Sequence, residues 1–131
     1  MTPIQKLKNA IVLRAIDFGN LPRRLPDETI TADNIDSIYE DADDASALQD
    51  ARDAVRCDGQ ETGLRCESSR HYESEAVAAQ MPDGTWVGWT YFHGGGKYGE
   101  PEAMDWMHDA YDLVCSEKEQ LVVVRTFERV A

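Results

Sequence analysis

The stretch EAVAAQMPDGTWVGWTYF, residues 75–92, decides the fold. In EAVAAQM, Val77, Ala79 and Met81 fall on alternate positions and share one face of a strand. PDG, residues 82–84, is a tight turn. TWVGWTYF is dense in aromatic and β-branched residues, which favour strands. The three pieces together read as a β-hairpin. In its second strand Val87, Trp89 and Tyr91 point to one side and Trp86, Thr90 and Phe92 to the other. Bulk on both faces implies a strand covered on both sides. Gly88, set among the tryptophans, marks a close approach or a bulge.

Downstream, residues 101–112 read as a helix. Pro101 suits its first turn, Glu100, Glu102 and Asp105 lie near its positive end, and Ala103, Trp106, Met107, Ala110 and Tyr111 form an apolar stripe. DLVCSEKEQLVVVRTFERV then reads as a second hairpin, with SEKEQ as its turn and LVVVRTF as its most strand-like run. Upstream, Thr2 and Pro3 open an amphipathic helix whose Ile4, Leu7, Ile11, Ala15 and Phe18 share a face, and Gly19 stops it. That face is expected to pack within the domain; a homo-oligomer contact through this N-terminal helix is the other use for it. Two short helices with a break near DADDA follow, with Thr31 or Asp33 as cap of the first. RCDGQETGLRCESSR is a loop. The reading is a single α+β domain over residues 1–131: a helical, acidic part over 1–56, then hairpin, helix and hairpin over 72–130. The hairpins form an antiparallel sheet with helices packed on it.

The net charge is −12. It argues against direct contact with nucleic acid or an anionic membrane, both of which require a positive field. Residues 27–54 hold ten acids against one base, Arg52, so this segment carries −9 of the total. Asp33, Asp36, Glu40, Asp41, Asp43 and Asp44 are the candidate face for a protein partner with a basic surface. A solvated outer helix surface is the plain alternative. Three cysteines, Cys57, Cys66 and Cys115, make an odd count that does not suggest a disulfide framework. The first residues lack the apolar core of a signal peptide, and no apolar run approaches membrane-spanning length, so a cytoplasmic protein is expected.

WTYFHGGGKYGEPE joins strand to helix through three glycines and a lysine. Its backbone N–H groups and Lys97 could cradle an anion. The spacing lacks the Gly-Lys-Ser/Thr ending of a phosphate loop, and EPE already places carboxylates at the helix start, so a structural turn weighs more. The ligand-binding alternative uses Trp89, Tyr91, His93, Gly94, Gly95, Gly96 and Lys97 as aromatic walls and donors for a nucleotide-like or sugar-like molecule. Cys57, Cys66, His71 and Cys115 lack the Cys-x-x-Cys spacing of a zinc site, so no metal or cofactor is expected. His71, His93 and His108 as bases, with Cys66 or Cys115 as nucleophile, sit in no catalytic signature, and no catalytic residue is assigned.

The block from RHYESEAVAAQMPDGTWVGWTYFHGGGKYGEPEAMDWMHDAYDL to VVVRTF resembles small proteins carried by bacteriophages and prophages of proteobacteria. The resemblance covers nearly the C-terminal half. It implies a context, a phage-type accessory protein acting in the bacterial cytoplasm, and brings no activity and no catalytic residues. Two readings stand: a non-enzymatic acidic protein that binds a host or defence-related protein, and a small-ligand binder or minor enzyme built on residues 89–99.

Overall fold

The computed structural model describes residues 1–130. Its order is α1 (Pro3–Asp17), α2 (Ile35–Asp44), α3 (Gln49–Cys57), β1 (Gln60–Glu61), β2 (Glu73–Gln80), β3 (Trp86–His93), a 3-10 turn (Pro101–Ala103) and β4 (Tyr111–Leu113). The strands form one antiparallel sheet in the order β1-β2-β3-β4, and the helices all precede β2 in the chain. The fold is α+β.

The 75–92 hairpin folds as its sequence implies. β2 and β3 pair over their whole length, from Glu73 opposite His93 to Gln80 opposite Trp86. The turn is closed by the Met81 N–H donating to the Thr85 carbonyl at 2.7 Å, with Gly84 at φ +89°. Asp83 accepts from the Thr85 N–H and hydroxyl, and these bonds hold its carboxyl below its ordinary range.

One face of the sheet carries Val77, Val87 and Trp89 into a core shared with all three helices. α1 supplies Leu7, Ile11, Val12 and Ala15, α2 supplies Ile35 and Ala42, and Leu48, Ala51 and Val55 come from α3 and its start. α1 begins at a capping box between Thr2 and Gln5 and is followed by Gly19 at φ +81°. Leu7, Ile11 and Ala15 of its expected apolar stripe are fully buried within the domain, while Phe18 is exposed. The opposite sheet face carries Ala76, Ala78, Gly88 and Phe92, all buried. Covering on both faces is why β3 can hold large side chains on each side.

Three expectations need correction. Residues 101–112 do not form a helix: only Pro101–Ala103 makes a 3-10 turn. The reason lies in Trp106 and Tyr111. Trp106 packs on Trp89, on the helix side of the sheet, with ring centroids 5.5 Å apart. Tyr111 pairs with Gly88 and lies over it on the far side. A single helical stripe cannot deliver two aromatics to opposite faces of one sheet. The second hairpin is also absent: β4 ends at Leu113, and residues 114–130 are irregular and exposed. Finally, neither Thr31 nor Asp33 caps α2. Asn34 stands at its N-cap without a side-chain cap bond and donates its backbone N–H to the Thr31 carbonyl. The loop after α3 contains β1, which pairs Gln60 with Ala78 and Glu61 with Val77.

Candidate functional site

α2 is short and amphipathic. Ile35 and Ala42 are buried, Ile38 and Tyr39 are half-buried, and Asp36, Glu40, Asp41, Asp43 and Asp44 are all exposed. Asp33 is exposed just before it. The fold therefore places five of the six candidate acids on the exposed side of α2 and Asp33 just before it.

They are not electrically equivalent. Asp36 accepts from Lys8 Nζ at 2.9 Å and from Gln5 Nε2 at 3.1 Å, and these bonds hold its carboxyl below the usual range. Asp43 is paired with the Arg52 guanidinium of α3. Burial pulls Arg52 down, but its bonds to Asp43 and to the Tyr39 hydroxyl outweigh that and set it above its ordinary value. Two of the six charges are thus compensated from neighbouring helices. Asp33, Glu40, Asp41 and Asp44 have no ion-pair partner among the described residues.

The acids at the end of α2 run against helix physics. Asp41, Asp43 and Asp44 fill the C-terminal turn of α2, and that turn holds no base. A helix C-terminus carries partial negative charge, so acids there are unfavourable. Glu40 and Asp44 are also four apart, where like charges repel.

The glycine loop has a different character. Gly94, Gly95 and Gly96 all have positive φ, at +80°, +87° and +74°. The Gly99 N–H donates to the Gly96 carbonyl at 3.1 Å, and the Glu100 N–H donates to the Tyr72 hydroxyl, also at 3.1 Å. A Cβ on Gly95 would lie 2.5 Å from the Tyr72 ring. The loop is therefore wound on itself and clamped against Tyr72, which accounts for its glycines without a ligand. Trp89 is fully buried, and its indole N–H donates to the Arg56 carbonyl at 3.3 Å, so it offers no wall to a molecule at this loop. Tyr91 stacks on His93, and burial followed by the nearby Cys57 thiol raises its hydroxyl pKa. His93 lies 3.4 Å from Glu73 and 3.5 Å from Glu75. Lys97 is exposed beside the Tyr98 ring. The loop residues do not converge with Trp89 on a common space.

A cavity of about 490 Å³ lies elsewhere, between α3 and the Pro101–Trp106 segment. Gln49, Arg52, Asp53, Arg56, Glu102 and Trp106 line it. Arg56 is buried; it donates to the Phe92 carbonyl at 2.9 Å and to Asp53 at 3.3 Å, and lies over the Tyr91 ring. Sequence reasoning passed over this pair of arginines. Their four-residue spacing on α3, which puts them on one face, was the available signal. Both guanidiniums are already engaged by carboxylates, so the lining is close to neutral.

The three thiols are free, and among the described residues no three His, Cys, Asp or Glu side chains group as a metal site. No helix of the described residues is long and apolar enough to cross a membrane. No family model, curated protein or solved structure matches this chain.

Proposed function

We propose that this protein is a non-enzymatic, phage-type accessory protein that docks on a basic surface of a host or defence-related protein in the bacterial cytoplasm. The contact is the outer face and C-terminal end of α2, with Glu40, Asp41 and Asp44 at its centre and Asp33 at its rim. The observation that carries this reading is the placement of uncompensated acids in the last turn of α2, where they weaken the helix that bears them. A local feature that lowers stability without a compensating contact in its own fold points to a use outside it. Negative charge gathered on one exposed element raises association rates with a positive partner and rejects partners of like sign. Asp36 and Asp43 are held by Lys8 and Arg52, so they shape the face more than they offer charge.

The test is capture from a bacterial lysate on the full chain, compared with an Asp41→Lys/Asp44→Lys variant whose fold is checked by circular dichroism. The reading expects a basic protein that is retained by the native chain, released as salt rises, and lost from the variant. Retention of the same protein by the variant, with unchanged salt dependence, overturns it.

A further inference from the structure

Leu121, Val122, Val123, Val124, Phe127 and Val130 are all exposed, Leu121 fully, in a segment that makes neither helix nor strand. Contiguous apolar exposure of this kind marks a contact surface. Leu121–Val124 is apolar on consecutive positions, the pattern of a strand covered on both faces rather than one. Such a strand fits beside a sheet covered on both faces, as β3 is; at β4 itself Tyr111 and Leu113 are half-buried and Asp112 is exposed. The edge of β4 that faces away from β3 carries no strand among the described residues. A groove of about 320 Å³ runs over the far face of the sheet from β1 to this strand, lined in part by Leu64, Ala78, Trp86, Leu113 and Val114.

The arm does not return to that edge in its own chain, and its sequence gives the reason. The hairpin that does form turns through PDG with Gly84 at φ +89°. Residues 114–120, VCSEKEQ, contain no Gly, Pro, Asn or Asp and only Ser116 among turn-favouring residues, so the turn read at SEKEQ is weakly specified. Charge leaves a second copy open as the occupant, although the two bodies repel. From residue 114 onward the chain has three acids (Glu117, Glu119, Glu128) and three bases (Lys118, Arg125, Arg129), so the whole −12 resides in residues 1–113. A neutral arm with two arginines near its end can approach an acidic body that a second acidic body would avoid.

We infer that residues 121–127 add as a strand to the open edge of β4 in a second copy of this chain, in a reciprocal exchange. Each copy has its open edge at the root of its own arm, so two copies set edge to edge satisfy both arms with two-fold symmetry. The seven residues from 114 to 120 span up to about 23 Å, enough to cross between adjacent edges. The exchange removes the exposed sheet edge and the exposed apolar arm together.

Light scattering after size exclusion, with hydrogen exchange on the full chain, tests this. The expected result is a species of twice the chain mass in which the amides of 121–127 are protected and lose protection on dilution. In an added strand only alternate N–H groups meet the ladder, so of Val122→Pro and Val123→Pro one weakens the dimer by at least about tenfold and the other much less. The Asp41→Lys/Asp44→Lys variant remains dimeric, because α2 lies outside this contact. A monomer at high micromolar concentration overturns the inference, whether its arm amides are protected (the arm then lies on its own edge) or exchange freely. A dimer indifferent to both prolines overturns it as well.

Discussion

A Cβ at Gly88 would lie 2.6 Å from the Tyr111 ring and 3.0 Å from Leu113, so the Tyr111 side chain can lie over β3 there because the residue is glycine. Gly88→Ala forces that ring aside and is expected to cost about 1–3 kcal/mol, read as a lower midpoint in urea denaturation. Trp89 makes a comparable demand through a single N–H. Trp89→Phe leaves the buried Arg56 carbonyl without its donor and loosens the packing on Trp106, for an expected loss of about 1–3 kcal/mol. Asp36, like Asp83 in the hairpin turn, carries pH dependence at this scale. Its pKa in the folded chain is lowered by Lys8 and then by Gln5, so the unfolded chain binds its proton more readily. The contribution of this carboxylate is therefore present above its unfolded pKa, about 3.9, and is lost as pH falls through the lower folded value. In Lys8→Ala, the Asp36 titration followed by NMR shifts upward toward the ordinary carboxylate value.

Among the elements, α2 separates stability from function. Replacing Asp41 or Asp44 by Asn removes a charge from the negative end of the helix, and each change is expected to raise stability by about 0.3–1 kcal/mol at low salt. The same substitutions weaken partner capture. Gain of stability with loss of binding is the signature expected of acids kept for a contact; loss of both would assign them a role within the fold. α1 is the contrasting case, because its capping box works for the helix itself. Thr2→Ala removes the oxygen that accepts the Gln5 N–H, and it is expected to cost about 1 kcal/mol in thermal denaturation.

Over the whole molecule, one hydrophobic layer joins the helices to one face of the sheet, while the net charge of −12 pushes the surface apart. The four ion pairs made by Lys6, Lys8, Arg14 and Arg52 tie α1 or α3 to other parts of the chain and partly offset that repulsion. Self-repulsion of a net-charged body falls as salt screens it. The melting temperature is therefore expected to rise by a few degrees between low salt and physiological ionic strength. A fall would mean that the bridges outweigh the repulsion. Salt has opposite signs on the two proposed contacts: it weakens docking through α2 and favours association of two acidic bodies through their neutral arms.

The local pattern of residues determined the hairpin at 75–92, the sorting of its side chains onto two faces, the close approach at Gly88, the capped first helix, and a break between two short helices, which falls at Ala45–Leu48, after the DADDA expected, because Asp41–Asp44 still belong to α2. Each of these follows from neighbours in the chain: alternation, turn chemistry, caps. The six acids were legible in the same way, as a run of charge. Which of them stay uncompensated was not, because Lys8 and Arg52 reach Asp36 and Asp43 only once three helices have packed. Tertiary structure also decided against a helix over 101–112, since Trp106 and Tyr111 are claimed by opposite faces of one sheet. It also set Tyr72 against Gly95, a contact that the run of glycines does not announce. The fate of LVVVRTF shows the same division. Its side chains set it as a strand, but a strand needs an edge to pair with, and where that edge lies is a property of the assembled sheet.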